Sequence, residues 1–407
     1  MALLQLNLTK PQRQHVERIA DAVIVSEARH KTLSALYEII VDAPDPTNAA
    51  DCLRISPWRA EDIREVMRAY VVRYLIEYAD RTGVKQLFIS LDDSLSEKDK
   101  ATRHLEPVEY HHDHTNSTPK KQQYTNGAVH VGLRLQVGPV AFSYDWRLYL
   151  RQKTVRRLNR TRAADQRLRF RTKYHLAREM LADLKSRLPK GYQVYLLCDS
   201  WYASTKLLKF CRRQGWHVIC AVKSNRTLDG KKLSQWNQQL KHQRYQRITP
   251  AATDQRSRPY LLRQCRGKLK QVPFEVCVFI SKRHPGDKRP KYFLSTDCSL
   301  SVRKVLTYYQ KRWAIEVDHL YLKQFLGLAD FRVHSFEAVE KWYAIIFLAL
   351  TYLQWRFNNA LQSEPFASIA EVIHRHRQEH ARQLLQDACQ QVLDTGQVEP
   401  VLARLML

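Results

Sequence analysis

Two apolar runs that end in aspartate constrain this chain more than any other feature. VKQLFISLDD (84–93) ends on Asp92 and Asp93, and YQVYLLCDS (192–200) carries Asp199 next to its last position. Short apolar runs of this kind read as strands. A buried strand delivers its last side chains to the sheet edge where the chain leaves the core, so the carboxylates of neighbouring strands converge. AVHVGLRLQVG (128–138) and PVAFSYDWRLYL (139–150) read as a hairpin joined by Gly138-Pro139. ASTKLLKFCRRQG (203–215) reads as a helix stopped by Gly215, with a further strand in WHVICAVK (216–223). Antiparallel strands followed by strands interleaved with helices predict an α/β domain built on a mixed sheet.

Around that core the pattern divides the chain. Residues 1–83 are helical and rich in Arg, with Thr9 as a cap, Pro11 in the first turn and a break over 42–58. They read as a DNA-binding module or, nearly as well, a packing domain. The core then occupies 84–224, a β-rich insertion 225–300, the remainder of the core 301–358 and a helical C-terminal region 359–407. AIIFLALTYL (344–353) has half the length of a membrane span and reads as a buried helix.

The charge names the class of partner. Lys and Arg number 67 against 40 acids, a net +27 that attracts polyanions, nucleic acid above all. The run 151–173 holds ten cations and one acid, which favours tracking along phosphates over a solvated helix face. The eight cysteines include no CxxC pair, which excludes a zinc ribbon and fits free thiols in a reducing cytosol. The N-terminus lacks the pattern of a signal peptide, so a cytoplasmic location is expected. His111, His112, Asp113 and His114 are adjacent and read as a polar loop near DNA rather than a metal site. Trp236 and Tyr245 could stack on a displaced base, although core packing explains either one.

YYQKRWAIEVDHLYLKQF (308–325) is the second constraint. On one helix, Tyr309, Arg312, Glu316 and Lys323 fall near 0°, 300°, 340° and 320°, a sector of about 60°. Glu316 can then face the sheet edge with Arg312 and Lys323 flanking it. Carboxylates from three distant places suit hard divalent ions. Two such ions about 4 Å apart can clamp a phosphodiester. The bland alternatives are turn-forming or capping aspartates and an ordinary i,i+4 ion pair between Arg312 and Glu316.

The spacing Tyr309-(2)-Arg312-(3)-Glu316-(6)-Lys323 resembles the Y-(2)-R-(3)-E-(6)-K signature of DDE transposases from bacterial insertion sequences. The resemblance runs from about Leu87 to Trp355. It implies a ribonuclease H-like mixed sheet with a β-rich insertion between the second Asp and the Glu. It also implies Asp93, Asp199 and Glu316 as the acids holding two Mg²⁺ ions, with Mn²⁺ as a substitute. The first acid of such proteins precedes Thr; here Asp93 precedes Ser94, and Asp92 remains an alternative. Tyr309, Arg312 and Lys323 would contact phosphates of the transposon end, and Lys223 in AVKSNR matches a basic residue that contacts DNA. The implied activity is cut-and-paste transposition by a homodimer on paired terminal inverted repeats, joining them to target DNA near the bacterial nucleoid. A nuclease that cuts without joining and a DNA-binding regulator without catalysis are the competing expectations.

Overall fold

The computed structural model describes residues 5–40, 45–113, 117–118, 121–249, 259–287, 289–361, 363–399 and 401. His114 and residues 42–44 of the expected break lie outside them. The chain opens with helices α1 (Lys10–Val25), α2 (Leu33–Tyr37), α3 (Pro46–Arg54) and α4 (Ala60–Thr82). Gly83, in the left-handed region at φ 73°, ends α4 and turns the chain into the sheet.

The sheet begins with β1 (Gln86–Glu97), β2 (Glu109–His112), β3 (Tyr124–Val137) and β4 (Val140–Tyr149). Helices α5 (Gln152–Leu158) and α6 (Lys173–Arg187) follow, then β5 (Gln193–Cys198), α7 (Thr205–Arg213) and β6 (His217–Val222). β4 pairs with β3 and β3 with β1, both antiparallel, whereas β5 runs parallel to β1 and to β6. The order β4-β3-β1-β5-β6, with helices on both faces, is a ribonuclease H-like mixed sheet.

The inserted segment contributes β7 (Thr227–Leu228), β8 (Lys231–Lys232), α8 (Leu233–Gln239), β9 (Gln246–Ile248), β10 (Tyr260–Lys268), β11 (Glu275–Lys282) and β12 (Lys291–Ser295). β12 pairs directly with β6, so β12, β11, β10 and β9 extend the same sheet. Helices α9 (Val302–Gln310), α10 (Trp313–Leu320), α11 (Phe336–Ala360) and α12 (Ile369–Thr395) complete the chain. α11 is apolar nearly all round because α1, α3 and α4 cover it on one side and β4 on another. Among the described residues no helix is long and apolar enough to cross a membrane.

Three local expectations are corrected. Asp92 and Asp93 do not close a strand, because β3 keeps pairing with β1 as far as Glu97. β5 ends its pairing at Cys198, opposite Leu91, so the two aspartates sit where β1 loses one neighbour. Glu109–His112, expected in a loop, is strand β2 against Tyr124–Gly127 of β3.

The stretch 309–323 is also not one regular helix. Lys311 and Arg312 donate to the carbonyls of Tyr308 and Tyr309 at 3.1 Å, and Ile315 donates to Arg312 at 3.2 Å, all three residues back. A π turn follows at Tyr321–Phe325, so an even 100° per residue does not hold across the signature.

Candidate active site

Alternation along β1 decides which groups meet. Phe88, Asp92 and Ser96 share the face covered by α9 to α11: Phe88 packs edge-on against Tyr308, and Ser96 accepts from the Tyr343 hydroxyl at 2.8 Å. Leu87, Ile89 and Leu91 belong to the opposite core with α6 and α7, and Asp93 points that way.

On the α10 face, Arg312 holds two acids at once. One guanidinium nitrogen lies 3.1 Å from Asp92 and the other 2.5 Å from Glu316. Burial, and then the charges of Asp93 and Asp199, pushes the Asp92 carboxyl up to about 7, with Arg312 opposing them. Asp199 follows the last residue of β5 and accepts from the backbone N–H groups of Trp201 at 2.9 Å and Tyr202 at 3.2 Å. Burial raises its pKa as well; those two N–H groups oppose the shift and Asp93 adds to it.

Asp93 is held from the other side. It accepts from Lys173, at the start of α6, at 2.6 Å and from the buried Tyr202 hydroxyl at 2.8 Å. Burial, and then Asp93 itself, pushes the Tyr202 hydroxyl well above its ordinary pKa, so it remains a donor. Of the expected acids, then, Asp199 stands at the shared edge, and Glu316 is tied through Arg312 to Asp92. Asp93 is tied to Lys173 and Tyr202.

The expected DNA-contact residues come from different elements. Tyr309 is half-buried, packed on Phe293 at 4.8 Å between ring centres, with Arg312 5.8 Å from its ring. Together with Tyr292, Lys282 and Trp313 these two residues line a cleft of about 810 Å³ between the insertion and α9. Lys323 is exposed in the π turn. Lys223 is exposed after β6, its ammonium 5.9 Å from the Trp201 ring. Trp236 and Tyr245 have structural partners: the indole N–H of Trp236 donates to the Leu228 carbonyl, and Arg263 lies 3.8 Å from the Tyr245 ring.

The basic run divides in two. Arg162 pairs with Glu106 and Glu337, Arg171 with Glu179, and Lys173 with Asp93. Lys153, Arg156, Arg157, Arg160, Arg167 and Arg169 are exposed.

The carboxylate oxygens of Asp92, Asp199 and Glu316 are the donors that hard divalent cations take. Burial and mutual repulsion set Asp92 and Asp199 against their own charge, which a bound cation would relieve. In chemistry the donor set fits. Among the described residues, however, no three His, Cys, Asp or Glu side chains are gathered to hold an ion, and the positive charge between Asp92 and Glu316 is Arg312.

Residues 171–352 match the family model described as a transposase DDE domain, a stretch that includes Asp199, Arg312, Glu316 and Lys323. The match supports a DDE transposase. The matched domain begins after Asp92 and Asp93, so the first acid rests on β1 alone. No curated protein matches the chain.

Some contributors carried no sequence signal. Asp318, buried on α10, accepts from Arg134 of β3 at 3.0 Å and from Gln354 of α11 at 3.1 Å, which clamps the Glu316 helix to the sheet. Lys173 and Tyr202, which fix Asp93, lie 80 and 109 positions from it.

Proposed function

We propose that this chain is a cut-and-paste transposase of the YREK group from a bacterial insertion sequence, acting with Mg²⁺ or Mn²⁺. One observation carries the reading: Arg312 and Glu316 of the signature helix meet Asp92 on β1, beside Asp199 at the end of the adjacent parallel strand. Asp199, Glu316 and one of the two adjacent aspartates would hold the ions. The face shared with Arg312 and Glu316 favours Asp92, and the resemblance to the family signature favours Asp93. Two bound divalent ions supply the charge that lets an oxygen nucleophile attack a phosphodiester.

The chain's own groups then have separable tasks. Arg312 holds Asp92 and Glu316 together and keeps a guanidinium charge beside them, where it would also pair with a phosphate. Lys223, Lys323 and the exposed cations of 151–173 hold backbone phosphates of the terminal repeat and the target. Tyr309 packs against the insertion and supports Arg312. Residues 1–83 would add contacts to the repeat, and a homodimer would pair the two ends in the cytoplasm, at the nucleoid.

The test uses duplex oligonucleotides carrying the inverted repeats that flank the coding sequence. Asp199→Asn should abolish nicking in Mg²⁺ while leaving DNA binding within about twofold. Undiminished nicking would remove Asp199 from the site. Comparing Asp92→Asn with Asp93→Asn assigns the first acid, and transfer of a labelled 3′ end to a plasmid separates a transposase from a nuclease that only cuts.

A further inference from the structure

We propose that Cys277 and Cys298 form a redox site, a thiol pair that hydrogen peroxide converts to a disulfide. Cys277 lies on β11 and is buried; Cys298 lies in the connection from β12 to α9 and is partly exposed. The two thiols are hydrogen-bonding neighbours.

Backbone and side chains hold them there. Cys277 stands opposite Arg266 of β10 on one side and Ser295 of β12 on the other. Beyond Ser295 the chain folds so that Cys298 packs on the core patch containing Cys277, Phe279 and Phe293. Asp297 pins this connection. Its carboxylate accepts from the Tyr195 hydroxyl at 2.8 Å and from the Ser299 backbone N–H at 3.0 Å, and its own N–H donates to the Ser295 hydroxyl at 3.1 Å. Cys298 is therefore fixed over a strand that is itself paired along both edges.

The chemistry divides between the two sulfurs. Arg266 donates to the Cys298 sulfur, and a cation beside a partly exposed sulfur is the setting of reactive cysteines. Burial, and then the contact with Cys298, pushes the Cys277 thiol up to about 11; the Gln264 amide, which donates to its sulfur at 3.4 Å, and Arg266 oppose the shift. Cys298 thus meets peroxide first and Cys277 resolves it. The Cys298 sulfur attacks one peroxide oxygen and the O–O bond breaks, leaving a sulfenic acid and water. The Cys277 sulfur then attacks the sulfenic sulfur, and its proton leaves with the hydroxyl as a second water. Two electrons pass from the sulfurs to the peroxide, and a reducing thiol such as glutathione returns them.

The remaining cysteines supply the contrast. Cys198 and Cys220 also meet, across β5 and β6, but both are wholly buried in the apolar core, out of reach of an oxidant. Cys389, exposed on α12, is a reachable thiol for comparison. The disulfide would fasten the connection entering α9 to the insertion, whatever the chain does to DNA.

The experiment treats the reduced protein with hydrogen peroxide, blocks the remaining thiols after unfolding and maps its peptides by mass spectrometry. A link between 277 and 298 should appear in wild type, vanish with dithiothreitol and persist in Cys389→Ser. In Cys277→Ser the sulfenic acid has no resolving thiol, so dimedone should label Cys298 about tenfold more than in wild type. Melting temperatures check that both variants are folded. Folded wild type without the 277–298 link, or equal dimedone labelling of Cys298 in wild type and Cys277→Ser, would overturn the proposal.

Discussion

Asp92 is a carboxylate in a place unfavourable to its charge. Its folded pKa of about 7 lies above the unfolded value, so protonated Asp92 favours folding. That contribution is complete below about pH 4 and is lost as pH rises towards 7, a swing of about 4 kcal/mol at most. Asp92→Asn removes the titration. In EDTA the variant should therefore melt progressively higher relative to wild type between pH 5 and 8, as thermal scans would reveal; parallel curves would mean that the carboxylate is not held in this way. The sequence made the adjacent aspartates visible as a pair but not their directions. Adjacent strand residues point to opposite faces, and which face carries Glu316 depends on α10, more than 200 positions away.

At the scale of elements, the position of Glu316 depends on how α10 is fastened. Arg134→Leu would leave Asp318 buried with Gln354 alone, a change that costs about 3–5 kcal/mol when one partner of a buried pair is removed. Urea denaturation should give that loss of stability. If the reading of the site holds, nicking should fall further than DNA affinity does. Hydrophobic runs and turn residues exposed the β3–β4 hairpin, the β5–α7–β6 unit and the helices around 301–358. The tightened turn at 311–315 and the π turn at 321–325 were invisible, because neither proline nor glycine marks them in the sequence. The signature spacing survived the irregularity; the angular arithmetic built on it did not.

At the scale of the whole molecule, charge and core make separate claims. With a net charge of +27, DNA affinity should fall steeply with salt. Replacing exposed Arg156, Arg157 and Arg160 together by Gln should flatten the slope of log K against log salt by up to about 3, if each meets a phosphate. An unchanged slope would move the DNA path elsewhere. The first 83 residues read as a DNA-binding module or a packing domain, and α1, α3 and α4 cover α11 in a shared core with Trp58, Met67, Trp342 and Phe347. A chain lacking residues 1–83 should accordingly lose cooperative unfolding and bind a hydrophobic dye. No local pattern could reveal that partnership, whose halves stand nearly three hundred positions apart; the all-round apolar AIIFLALTYL was its only trace.

The pairing of β12 with β6 joins Tyr292–Ser295 to Ile219–Val222, residue by residue. A module hung on a flexible tether would swing, and whatever it gripped would arrive at the acids in many orientations. Here the backbone ladder works as a ruler instead: β10 and β11 stand at a fixed distance from the strand that ends beside Asp199, so anything they hold keeps one orientation towards it.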